Sequence, residues 1–127
     1  MNKIVFITGA TSGFGEACAL RFAEAGYDII INGRRADRLK ALEKDIEKRF
    51  FVRVLPLPFD VSKRDAVFNA INGITGDWRN IDVLINNAGL ALGRDFFDEA
   101  DLDEWDTMMD TNIKGLLYVS RAVLPLM

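Results

Sequence analysis

The stretch Thr8-Gly9-Ala10-Thr11-Ser12-Gly13-Phe14-Gly15 carries three glycines at the spacing G-x-x-x-G-x-G, directly behind the short apolar run Ile4 to Ile7. Glycines let a backbone turn tightly and come close to a phosphate, and a helix that starts at such a turn points its free N–H groups at an anion. Gly9, Thr11, Ser12, Gly13, Phe14 and Gly15 are therefore candidates to hold a pyrophosphate. The alternative is a glycine-rich strand-to-helix turn with no ligand.

A second cluster, Asn32-Gly33-Arg34-Arg35, follows the next apolar run, Ile29 to Ile31. In an NAD-binding unit an acidic residue about 20 residues beyond the glycines takes the ribose hydroxyls, and that acid would repel a 2′-phosphate. No carboxylate lies between Asp28 and Asp37 here, whereas two guanidinium groups suit a bidentate grip on a phosphate. NADP is accordingly the favoured cofactor, with Arg34 the stronger ligand and Arg35 the weaker. A solvated basic pair facing Asp37 or Glu43 is the competing reading.

Other chemistries are excluded by composition. With Cys18 as the single cysteine and no histidine, the chain has no intrachain disulfide, no cysteine-based zinc site and no triad base. The 16 basic and 19 acidic residues give a net charge of −3, so no global positive field draws the chain to nucleic acid or anionic lipid. No apolar stretch approaches the roughly 18 residues of a membrane span, and the Ile4–Ile7 run is too short for a secretory signal, which makes a cytoplasmic location the default. At 127 residues, half of them hydrophobic, the chain has room for one domain, residues 1–127.

Continuous apolar runs that alternate with helical periodicity imply parallel strands buried on both faces and joined by crossover helices. Strands are expected at Ile4 to Ile7, Ile29 to Ile31, Val52 to Leu57 and Asp82 to Asn86, with Pro56 marking the third as an edge strand or a strand end. The first helix is expected to bury Phe14, Ala17, Cys18, Phe22 and Ala25, and the second Leu39, Leu42 and Ile46. Ser62 and Asp65 resemble a capping box opening a third helix lined by Val67, Ala70, Ile71 and Ile74. A final helix from near Asp103 to the end carries Trp105, Met109, Asn112, Leu116 and Val123 along one side. The expected architecture is α/β: a doubly wound parallel sheet of Rossmann type in three α/β/α layers, incomplete at the fourth strand.

Thr8, Gly9, Gly13 and Gly15, with Asp60-Val61, Asn86-Asn87-Ala88-Gly89, and Asn112 with Gly115, resemble in order the signature of the short-chain dehydrogenases/reductases. The resemblance covers the whole chain. It implies hydride transfer between a nicotinamide and a small alcohol or carbonyl substrate. It also implies cofactor contacts at Asn87, Ala88 and Gly89, adenine contacts at Asp60 and Val61, and a catalytic role for Asn112, for which a purely structural role is equally open. Asn86 reads as structural. The family's Ser and Tyr-x-x-x-Lys are not found: four residues beyond Tyr27 and Tyr118 stand Ile31 and Ala122. The chain is thus expected to be the N-terminal part of a longer, homo-oligomeric enzyme and inactive alone. A finer resemblance, to bacterial NADP-dependent dehydrogenases of 3-hydroxy acids such as serine, rests on Gly33-Arg34-Arg35, on Asn87 to Gly93, on Trp105 to Gly115 and on Arg121 to Pro125. The alternative function is a non-catalytic NADP(H)-binding module.

Overall fold

β1 (Ile4–Ile7) and β2 (Asp28–Gly33) are buried along their whole length, as unbroken apolar runs in a parallel sheet require. In this computed structural model, which describes residues 1–11 and 13–127, they form the centre of a four-stranded sheet in the order β3-β2-β1-β4. β3 spans Val54–Pro58 and β4 spans Val83–Ile85, and every pairing is parallel. The two prolines of β3 are tolerated because that strand is an edge. The other edge, β4, pairs with β1 alone among the described residues.

Alternation along the strands divides the core in two. Val5, Ile7, Ile29 and Ile31 pack against α1 (Gly13–Glu24) and α2 (Ala36–Arg49), while Ile4, Phe6 and Ile30 face α3 (Arg64–Asn72) and α5 (Gly115–Val123). The result is the three-layer Rossmann-type fold implied by the apolar runs.

Three local expectations need correction. α1 buries Gly15, Ala19 and Ala23, whereas Cys18 and Phe22 are half-buried and Phe14, Ala17 and Ala25 are exposed. Small residues let the helix approach the sheet closely, and the larger apolar side chains flank that line of contact. The capping box does not form: α3 starts at Arg64 with no side-chain cap, because the Ser62 hydroxyl and N–H both donate to Asp60 Oδ1, at 2.7 and 2.9 Å. The final helix is not uniform. α4 (Leu102–Met109), capped by Asp101, passes through a π-helical segment, Asp110–Lys114, into α5. The wider turn shifts the helical register, so Met109 and Leu116 are exposed and Gly115, Val119, Ala122 and Val123 form the buried face.

At the end of the sheet where β2 begins, the buried Asp28 is clasped by β3's neighbour Arg53. The Arg53 N–H and Nε each donate to it at 2.9 Å, and Asn2 Nδ2 donates at 3.1 Å. The same guanidinium reaches Asp77 at 2.7 Å and lies 4.5 Å above the Trp78 ring. Burial pushes the Asp28 carboxyl up, but the Arg53 backbone N–H, Asn2 and the Arg53 guanidinium together outweigh it and hold the group below its ordinary value. A depressed carboxylate contributes stability above about pH 4, the unfolded value, and loses it as the pH falls through the folded one. Asp28→Asn should therefore cost about 1–3 kcal/mol at pH 7. In denaturant titrations the gap to wild type should close below about pH 4, and a gap unchanged down to pH 3 would contradict this account.

Candidate functional site

The C-terminal ends of the strands open on a cleft of about 320 Å³, within the range of cofactor and ligand sites. Its floor is the glycine turn between β1 and α1. Gly9 and Gly13 hold φ of 61° and 57°, a left-handed conformation that glycine adopts without strain. Gly9 is also fixed by space, since a Cβ there would lie 2.9 Å from Ala88 Cα.

The turn is stapled to the segment behind β4. The buried Thr8 accepts from the N–H groups of Asn87 and Ala88 through Oγ1, at 3.0 and 2.9 Å, and Asn87 Nδ2 donates to the Gly9 carbonyl at 3.0 Å. Asn87, Ala88 and Gly89 all line the cleft, with the Asn87 amide nitrogen committed to the turn. Asn86 points elsewhere and donates to Ser120 Oγ at 3.1 Å, in keeping with a structural role.

The basic pair divides. Arg34 lines the cleft and has no carboxylate partner among the described residues. Arg35 Nε instead lies 3.7 Å from Asp37 Oδ1, an exposed pair of little energetic weight. Gly33 keeps the floor open beneath Arg34: a Cβ there would lie 3.1 Å from the Thr11 methyl. Asp60 and the buried Val61 form the wall behind β3, with Asp60 Oδ1 held by Ser62.

Asn112 sits in the π-helical segment and grips one residue twice, accepting from Leu90 N–H through Oδ1 and donating to Leu90 O through Nδ2, both at 2.8 Å. These two bonds tie the loop beyond Gly89 to the helix. Phe14 stands 84% exposed on the first turn of α1. Ser12 lies outside the described residues. Thr8 and Asn32 were seen in the sequence but given no role at the site, and Phe59, Leu90 and Thr111, which also line the cleft, were not singled out. The signal of Thr8 and Asn32 is a polar residue at the end of an apolar, buried strand run.

The residues present fit a dinucleotide. The first N–H groups of α1 have no intrahelical acceptor and carry the positive end of the helix dipole, and Arg34 adds a cation with no salt-bridge partner among the described residues. No helix of the described residues is long and apolar enough to cross a membrane.

A family model described as short chain dehydrogenase matches residues 3–127. An NADP-dependent 3-hydroxy acid dehydrogenase of Salmonella typhi is 48% identical over 122 residues, which are 96% of this chain and 48% of that protein. Sulfoacetaldehyde reductase 2 of Chromohalobacter salexigens is 49% identical over 125 residues, 98% of this chain and 49% of that one. The closed form of serine dehydrogenase complexed with NADP+ superposes with a TM-score of 0.87 at 44% identity, covering 98% of this chain and 48% of that chain. The chain spans about half the length of the curated relatives it matches.

Proposed function

The chain belongs to the short-chain dehydrogenase family, and we propose that it is the NADP(H)-binding part of an oxidoreductase acting on a small alcohol or carbonyl compound. The observation that carries the cofactor assignment is Arg34, a guanidinium lining the cleft with no salt-bridge partner among the described residues. When bound, the nicotinamide supplies the hydride or accepts it. The protein's own part is to hold the pyrophosphate on the glycine turn and the first turn of α1, and to seat the 2′-phosphate on Arg34. Arg35, turned toward Asp37, has the lesser role. Asp60 and Val61 flank the adenine, and Asn87, Ala88 and Gly89 border the path toward the nicotinamide.

A 3-hydroxy acid such as serine is the substrate class favoured by relatives at 44 and 48% identity. Sulfoacetaldehyde reductase 2, at 49% identity, is named for a small aldehyde instead. Asn112 bonds Leu90 through both Oδ1 and Nδ2, so its contribution runs through the loop it holds. That same pair of hydrogen bonds favours the second reading, a module that binds NADP(H) without turning over a substrate. A homo-oligomer is supported by exposed apolar side chains along α4 and α5, Leu102, Met109 and Leu117 among them, and a reducing cytoplasm by the free Cys18.

Titration with NADPH and NADH tests the assignment. A charge-assisted phosphate contact is worth about 1.5–3 kcal/mol, so Arg34→Ala should weaken NADPH by about tenfold or more and leave NADH nearly unchanged. Equal loss of both cofactors, or of neither, would remove Arg34 from the phosphate site.

A further inference from the structure

Asn32 lies one residue before the end of β2 and is 1% exposed. A polar side chain in such a place is costly unless its hydrogen-bonding atoms are satisfied, and the three preceding positions of the strand are filled by isoleucine. Packing alone therefore gives no reason for an amide here.

Its partners do. Nδ2 donates to the carbonyls of Leu57 and Phe59, both at 3.1 Å, and Oδ1 accepts from the Gly9 N–H at 3.4 Å. The Asn32 carbonyl accepts from the Ala10 N–H at 2.8 Å. One residue thus ties together the phosphate turn, the strand end that carries Arg34, and the exit of β3 that carries Asp60 and Val61.

We propose that Asn32 is a positioning residue for the dinucleotide, fixing the spacing between the pyrophosphate turn and the wall behind β3 before the cofactor arrives. The inference rests on the reading of the cleft as an NADP(H) site. Binding to two preformed walls avoids the ordering cost of bringing two loops together around a ligand. Pyrophosphate and adenine are common to NADPH and NADH, whereas Arg34 senses only the 2′-phosphate. Loosening the Asn32 bracket should therefore penalise both cofactors alike.

The test titrates NADPH and NADH into the purified protein carrying Asn32→Ala or Asn32→Asp, with folding followed by near-UV circular dichroism and thermal melts. Asn32→Asp keeps the shape and the acceptor for Gly9, but turns a carboxylate oxygen toward the Leu57 and Phe59 carbonyls. Both cofactors should weaken by about tenfold or more with their ratio preserved, while Arg34→Ala weakens NADPH alone. In the wild type, hydrogen exchange should find segments 8–11 and 57–61 protected before NADPH is added. A folded variant that keeps wild-type affinity for both cofactors, whatever its melting temperature, overturns the proposal, and so does protection of those segments that arises only with NADPH. Failure of the wild type itself to bind either dinucleotide is a distinct outcome, which overturns the cleft reading and this inference with it.

Discussion

Gly15→Ala should abolish measurable NADPH binding and destabilise the fold by about 3 kcal/mol or more. Gly15 is the first buried residue of α1, and a methyl group there would fall inside the van der Waals shell of the Gly9 carbonyl oxygen and 2.5 Å from Asn87 Nδ2. Neither neighbour is free to give way. Gly9 O is backbone in a left-handed turn, and Asn87 Nδ2 is the donor that pins that same carbonyl. Relief requires α1 to withdraw from the turn, which breaks the Asn87–Gly9 bond and moves the helix N–H groups from the phosphate position. Gly13→Ala is the matched control. It faces open space, so only its φ of 57° is penalised, at about 1–2 kcal/mol. Thermal melts and NADPH fluorescence on the pair give the comparison, and a Gly15→Ala protein no worse than Gly13→Ala would show that α1 does not need this close approach.

The contrast between these glycines shows what was legible in the sequence. The spacing of Gly9, Gly13 and Gly15 behind an apolar run located the turn, because tight turning and close approach are properties of the residue type itself. The parallel sheet and its layers were equally legible, since runs such as Ile29-Ile30-Ile31 point to burial on both faces. The helix faces were harder. α1 presents its small residues to the sheet, and a count of large apolar side chains falls on the flanks. The π-helical segment inserts a wider turn that a fixed helical period misses, so a single stripe from Trp105 to Val123 does not exist. Asn32 was visible as a residue but not as a bracket, because its partners are carbonyls 25 and 27 positions away. Arg34 was already ranked above Arg35 from the sequence, whereas the reason is tertiary: Arg34 lines the cleft and Arg35 lies beside Asp37.

The 127-residue chain by itself should bind NADPH and leave it unconsumed. Reduction of a carbonyl needs a proton delivered to its oxygen, and a positioned acid or base commonly contributes roughly 10²- to 10⁴-fold to such a rate. No histidine is present to supply it. Both tyrosines are engaged in packing: Tyr27 meets the edge of Phe22 at 4.9 Å, and the Tyr118 ring lies 5.4 Å from the Arg64 guanidinium. Neither has a lysine four residues on, the spacing that the family resemblance would require. The carboxylate that lines the cleft, Asp60, accepts from Ser62 and stands on the adenine side of the proposed cofactor. Binding and chemistry should consequently separate. NADPH fluorescence should respond to the chain, while absorbance at the nicotinamide band with small 3-oxo acids or aldehydes should decline no faster than in buffer. Addition of a polypeptide that carries the family's Ser and Tyr-x-x-x-Lys should restore consumption. In that reconstituted form Asn112→Ala should lower turnover more than cofactor affinity, because it frees the loop at Leu90 and leaves the glycine turn intact. Turnover by the 127 residues alone, in material shown by mass spectrometry to contain no longer chain, would place the proton donor within the residues described here.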